Sequence, residues 1–208
     1  MTEQPQLYLI APPDFDADSH GAALKAILDA VPVACLRFAP ASRDEAAITR
    51  AADALREIAH GRDVALVIAD HLMLAERLGL DGVHLTDGAR SVRKARKALG
   101  GDAIIGAFCG TSRHDGMTAG EAGADYVAFG PVGATALGDG SRAEHDLFAW
   151  WSEMITLPVV AEGALTPALV GGLAPVADFL AIGPEIWEAD DPNAALDALL
   201  APLDVPAG

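Results

Sequence analysis

The chain has 208 residues, of which 51% are apolar and 21% charged, and its 14 basic and 30 acidic side chains give a formal net charge of −16. This composition excludes a disordered tail, because it provides enough apolar residues for one sizeable core. The negative charge repels phosphate and argues against nucleic acid as a partner. Two cysteines, Cys35 and Cys109, exclude a disulfide framework, and no Cys-x-x-Cys pair indicates zinc.

Neither secretion nor a membrane span is predicted. The N-terminal segment MTEQPQ has no basic region followed by an apolar one, so we expect no signal peptide. The longest apolar stretches, such as VALVIA at 64–69, are far shorter than the about 20 residues that a membrane helix needs. We therefore expect a cytoplasmic protein without membrane partners.

Short runs rich in Val, Ile and Leu recur along the chain at near-regular intervals. The eight runs are LYLIA (7–11), VACLRF (33–38), VALVIA (64–69), GVHL (82–85), AIIGA (103–107), DYVAFG (125–130), LPVVA (157–161) and DFLAIG (178–183). Runs that are apolar at consecutive positions are typical of strands buried on both faces, as in parallel sheets.

Amphipathic stretches between these runs indicate helices, for example at 43–59, 91–100 and 148–155. Ser42 is a candidate helix cap, and so is Thr166, which precedes a proline at the first helical position. Strands that alternate with helices in this way predict a single (β/α)₈ barrel domain over residues 1–208. An open doubly wound sheet is less favoured, because no glycine-rich fingerprint follows the first strand.

In such a barrel the carboxyl ends of the strands meet at one mouth, and the active-site residues lie there. The candidate residues after the predicted strands are Arg37, Asp70, His71, Asp87, Cys109, Thr111, Arg113, His114, Asp115, Thr135, Glu162, Gly163 and Gly183. Carboxylates, an arginine and a histidine at one mouth can bind a divalent metal and an anionic substrate. The hard oxygen ligands of Asp70 and Asp87 favour Mg²⁺ over zinc.

Several of these residues also have a purely structural interpretation. Asp70 stands where the cap of the next helix would be. His84, inside the run GVHL, is better explained as a hydrogen-bonded core residue than as a catalyst. His114 and Asp115 lie where a helix begins, and Cys109 fits a small buried apolar residue.

The glycines at the ends of the seventh and eighth strands predict an anion site. Gly163 lets the backbone approach a ligand, and many barrels bind phosphate through backbone N–H groups in this region and after the eighth strand, here near Gly183. Pro184 removes one N–H donor. The charge of Glu162 would repel an anion unless the side chain turns away or is paired with a cation such as Arg37 or Arg113.

Four segments carry a resemblance to a known family: DGVHL (81–85), IIG (104–106), AGADYVAFGPVGAT (122–135) and LPVVAEGALTP (157–167). In this order they resemble the thiamine phosphate synthase family, and the resemblance covers most of the chain. It implies a (β/α)₈ barrel and a transferase that joins a pyrimidine methyl pyrophosphate to a thiazole phosphate, releasing pyrophosphate with Mg²⁺. The implied partners are a small phosphorylated substrate and, as one possibility, a second copy of the chain in a homodimer.

The resemblance is uneven at the cationic positions. Arg37 matches the family's Gln-Leu-Arg-x-Lys, but Cys35 and Ala39 replace its Gln and Lys. Thr135 matches in the glycine-rich stretch 132–143, which we expect to be a mobile active-site loop, but the lysine after it becomes Gly138. The resemblance therefore implies a phosphate site with fewer cations than is usual in the family.

The metal and phosphate positions are also only partly retained. Asp70 keeps the family's metal-binding aspartate, whereas the second one falls on Ala89, with Asp87 as a substitute two residues earlier. Gly163 and Ala164 correspond to the family's Gly-Gly pair, which implies a role in phosphate binding.

Three functions remain open from the sequence. The first is a divergent thiamine phosphate synthase that uses Arg37 and Asp70. The second is an isomerase similar to the thiazole tautomerases, in which His114 moves a proton. The third is a barrel without catalysis that binds a thiamine-related ligand or a protein partner. Dependence on magnesium separates the first from the others.

Overall fold

The computed structural model describes residues 4–135 and 140–204. Within them, eight parallel strands form a closed barrel in chain order, with β8 paired to β1. The strands are β1 (Gln6–Ile10), β2 (Val33–Phe38), β3 (Ala65–Ala69), β4 (Gly82–Leu85), β5 (Ile104–Phe108), β6 (Tyr126–Phe129), β7 (Val159–Glu162) and β8 (Phe179–Ile182). The predicted (β/α)₈ barrel is confirmed, and each of the eight apolar runs overlaps one strand.

The helices of the described residues surround this barrel. They are α1 (Ala17–Ala30), α2 (Glu45–His60), α3 (Leu72–Leu78), α4 (Val92–Leu99), α5 (Arg113–Ala122), α6 (His145–Met154), α7 (Pro167–Leu173), α8 (Pro184–Trp187) and α9 (Pro192–Leu200), followed by a 3₁₀ turn (Ala201–Asp204). None of the helices in 4–135 and 140–204 is long and apolar enough to cross a membrane.

Helix caps explain where two of the predicted helices begin. Thr166 caps α7 as predicted, because its side chain accepts a hydrogen bond from the N–H of Leu169. The cap of α2 is Asp44 and not Ser42, since the Asp44 carboxylate accepts from the N–H of Ala46. The Ser42 hydroxyl instead accepts from the N–H of Asp44, one step before the helix.

Both faces of the strands are buried, which accounts for the consecutive apolar residues in their sequences. Outward-facing side chains such as Leu36 and Leu66 belong to the core between the strands and the helices. The inward-facing side chains form a second, smaller cluster: Tyr8, Cys35, Val67, Tyr126, Ala128, Val160 and Ala181. Two further polar side chains of the described residues, Arg37 and His84, are buried with them.

Candidate functional site

Two opposite charges meet inside the mouth of the barrel. Arg37 on β2 and Glu162 on β7 form an ion pair with 2.8 Å between Nη1 and Oε2, and their side chains are only 8% and 15% exposed. Burial alone would lower the pKa of Arg37, but the neighbouring Glu162 carboxylate raises it above its ordinary value. The guanidinium is therefore charged, and the negative charge that the sequence places beside the anion site is paired with a cation.

A chain of hydrogen bonds continues from Arg37 through the barrel interior. Nη1 of Arg37 lies 2.7 Å from Nε2 of His84, and Nδ1 of His84 lies 2.9 Å from the Tyr126 hydroxyl. A guanidinium only donates, so Nε2 must accept and Nδ1–H donates to Tyr126. The Tyr126 hydroxyl is also 2.7 Å from that of Tyr8.

The charge state of His84 follows from these surroundings. Burial and the positive charge of Arg37 hold the pKa of His84 well below its ordinary value, so the ring is neutral. Burial likewise raises the pKa of Tyr8 and of Tyr126, which keeps both hydroxyls protonated. His84 is thus a hydrogen-bonded core residue, in agreement with its structural interpretation from the sequence.

A glycine makes room for this chain. A Cβ atom on Gly106 of β5 would lie 2.0 Å from Cζ of Tyr126, so a larger residue would push the phenol ring away from His84. At the Arg37 end of the chain of hydrogen bonds, Cζ of Arg37 lies 5.6 Å from the centre of the Tyr8 ring. The Nε of Arg37 is buried and has no hydrogen-bond partner among the described residues.

Asp70 connects the ends of two neighbouring strands. Its carboxylate accepts hydrogen bonds from the N–H of Thr86, at 2.9 Å, and from the Thr86 hydroxyl. Its backbone is left-handed, with a φ of 57°. The interpretation of Asp70 as the cap of α3 is wrong, because His71 takes that position and Asp70 turns toward β4 instead.

Asp70 and Asp87 face one small cavity of about 360 Å³, together with Thr86, Ser91 and Lys94. Oδ2 of Asp87 accepts a hydrogen bond of 2.6 Å from the Ser91 hydroxyl. Within the described part of the chain, no three His, Cys, Asp or Glu side chains are grouped so that they could hold a metal. Two carboxylates fit Mg²⁺ as a partial set of ligands, which water and substrate phosphates would complete.

His114 lies apart from the charged pair. It is exposed in the first turn of α5 and lines a larger cavity of about 1000 Å³, between the loops that follow β4, β5 and β6. Asp87 lines this cavity as well as the smaller one, so the two are neighbours. Thr135 is half-buried in the loop after β6, and residues 136–139 of the predicted mobile loop lie outside the described residues.

The loops after β7 and β8 contain the residues that the sequence predicts for an anion site. Gly163 and Ala164 are left-handed, with φ of 91° and 54°. A Cβ on Gly163 would lie 3.0 Å from Pro131. The Gly163 carbonyl accepts hydrogen bonds from the N–H groups of residues 132 and 133. The N–H groups of Leu165 and Gly183 both donate to the carboxylate of Glu185, at 3.0 and 2.8 Å.

Sequence reasoning missed Glu185 and the two tyrosines. Tyr8 and Tyr126 occupy inward positions of otherwise apolar strands, where a polar group needs a hydrogen-bond partner. That requirement was a usable signal for an interior network. Glu185 gave a weaker one, since an acidic residue in the first turn of a helix is common.

Comparisons with known proteins agree with this architecture. A family model described as thiamine monophosphate synthase matches residues 7–183. A thiamine-phosphate synthase of Rhodospirillum centenum is 42% identical, over 88% of this chain and 89% of that protein. One of Erythrobacter litoralis is 41% identical, over 95% of each. The solved thiamine phosphate pyrophosphorylase from Pyrococcus furiosus has the same fold, with a TM-score of 0.82, 20% identity and coverage of 96% of this chain and 95% of that one.

Proposed function

Because the chain belongs to the thiamine monophosphate synthase family, we propose that it joins a pyrimidine methyl pyrophosphate to a thiazole phosphate, giving thiamine phosphate and pyrophosphate. The observation that carries this proposal is Arg37. It matches the arginine of the family's second strand and is held, charged, inside the end of the barrel by Glu162 and His84.

Arg37 has a direct task in this reaction. The bond between the pyrimidine methylene carbon and the pyrophosphate oxygen breaks, and negative charge develops on the departing group. Nη1 is engaged by Glu162 and His84, whereas the buried Nε has no partner among the described residues. The donors left for pyrophosphate are therefore Nε and the Nη2 amino group. A fixed cation stabilises the developing negative charge without reorganisation, and this lowers the activation free energy for cleavage of the carbon–oxygen bond.

Asp70 and Asp87 would hold Mg²⁺ in this scheme, because both carboxylates line the same cavity. When bound, the ion would neutralise charge on the pyrophosphate leaving group. Thr135, Gly163, Ala164 and Gly183 stay predictions for binding the phosphate of the thiazole substrate. The barrel would then hold the pyrimidine methylene carbon close to the thiazole nitrogen that attacks it.

The test is turnover by the purified chain with both substrates and Mg²⁺, with thiamine phosphate and pyrophosphate measured separately. Equal amounts of the two products are expected. Arg37→Lys should lower kcat/KM by about 100-fold, since one directed donor to a developing anion contributes about that much. Arg50→Met, which removes an exposed arginine of α2, is the matched control and should leave kcat/KM unchanged.

Rescue of a strain that lacks thiamine phosphate synthase tests the same proposal in cells. Wild type should restore growth without thiamine, and Asp70→Ala should not. Absence of both products in vitro together with absence of rescue would overturn the proposal. A cytoplasmic location and a homodimer stay predictions from the sequence.

A further inference from the structure

Glu185 is held between two loops at the mouth of the barrel. Oε1 of its carboxylate accepts from the N–H of Leu165, in the loop after β7, and Oε2 accepts from the N–H of Gly183, directly after β8. The side chain is half-buried. Among the described residues, no cation forms an ion pair with Glu185. The hydrogen bonds that its carboxylate accepts are the two from these backbone N–H groups.

The two N–H groups converge on one anion, although they belong to loops that are 18 residues apart in the chain. Backbone donors at the ends of the last two barrel strands are a general means of binding a phosphate. Pro184 has no N–H to contribute, and Gly163 and Ala164, which directly precede Leu165, have left-handed backbone.

We propose that Glu185 is an internal competitor for phosphate at the Leu165 and Gly183 amides. A phosphate-bearing ligand can use these donors only after the Glu185 side chain has moved away, because each N–H has one hydrogen to donate and because two anions at one place repel each other. This inference rests on the proposed function in one respect: the thiazole substrate carries the phosphate that would displace Glu185.

A purely structural role for Glu185 predicts something different. As a tie between the two loops, the carboxylate would stabilise the fold, and its removal would create no affinity for phosphate. The experiment therefore compares phosphate binding and thermal stability in the same variants.

Inorganic phosphate is titrated into the wild type, Glu185→Gln and Glu185→Ala, with calorimetry for affinity and backbone amide NMR for location. Glu188→Ala is the matched control, because it removes one exposed acidic side chain three residues further along the chain. We expect Glu185→Ala to bind phosphate at least about tenfold more tightly than the wild type, the ratio that loss of one charge-assisted competitor would give. Glu188→Ala should bind as the wild type does.

The amide signals of Leu165 and Gly183 give the location. They should shift on addition of phosphate in Glu185→Gln at concentrations that leave them unmoved in the wild type. The inference is overturned if neither variant at position 185 binds phosphate more tightly than the wild type while both remain folded, or if the shifts appear elsewhere. If the variants at position 185 bind phosphate more tightly but the protein does not convert the two proposed substrates, Glu185 is supported as a competitor. That result would count only against the proposed reaction.

Discussion

Glu162 reaches across the end of the barrel from β7 to β2, and its Oε2 atom lies 2.8 Å from Nη1 of Arg37. The two strands are not neighbours, since β8 and β1 lie between them. The ion pair therefore crosses the interior and is not a contact along the sheet. It fixes the one buried guanidinium of the described residues and neutralises a carboxylate that stands directly before Gly163.

Because the two charges are buried together, removing either partner of the ion pair should lower the free energy of unfolding. Arg37→Met should destabilise the protein by about 3 kcal/mol, because it leaves the Glu162 carboxylate buried without a cation. Adding Glu162→Gln should recover at least half of this loss, since the remaining group is then neutral. Urea unfolding of the wild type, both single variants and the double variant measures the coupling. A double variant no more stable than Arg37→Met would contradict this account.

His84 makes stability depend on pH in a defined window. Its pKa in the folded protein is held well below the ordinary value, whereas in the unfolded chain it returns to about 6.5. Below that pH the unfolded state binds more protons than the folded state, so stability falls as pH decreases from 6.5. The loss is at most about 1.4 kcal/mol per pH unit for one group.

His84→Gln is the variant that isolates this effect. Glutamine can accept from Arg37 and donate to Tyr126 but does not titrate. Urea unfolding at pH 7.5, 6.5 and 5.5 should show a smaller loss of stability in the variant than in the wild type over the acid interval, and parallel behaviour above pH 6.5. Equal losses in both proteins would exclude His84 as the source.

Magnesium binding to the free protein should be weak and should require Asp70. Two carboxylates line the cavity, whereas Mg²⁺ is usually completed by water and substrate phosphates. Asp70→Asn removes the charge and retains a side chain that tolerates a left-handed backbone. Calorimetry should show loss of binding in Asp70→Asn but not in Asp102→Asn, an exposed aspartate that precedes β5. Tight binding that survives Asp70→Asn would overturn the assignment.

Gly106 should be sensitive to a single added methyl group. A Cβ there would lie 2.0 Å from the Tyr126 ring, and the overpacking should cost about 1–3 kcal/mol. Gly101→Ala is the control, because a Cβ at Gly101 has no atom within 4 Å. Thermal unfolding should separate the two variants clearly. A Gly106→Ala protein as stable as Gly101→Ala would show that the Tyr126 ring moves without cost.

Local sequence determined the barrel, because each element carries its own signal. A strand covered on both faces needs consecutive apolar residues. The start of a helix such as α7 is indicated by its cap, Thr166, and by Pro167 at the first helical position. The start of α2 was less predictable, since Ser42 and Asp44 are both good caps and the backbone conformation chooses between them.

The sequence also identified the residues at the mouth of the barrel, since a position that follows a strand is a local property. It did not determine what those residues contact. Arg37 is 47 residues from His84 and 125 from Glu162, and only closure of the barrel brings β2, β4 and β7 around one interior. The same holds for Glu185, which reaches the Leu165 amide 20 residues earlier. Pairing of charges and donors depends on distances in space, so the tertiary structure alone decided which cation, which tautomer and which amides are engaged.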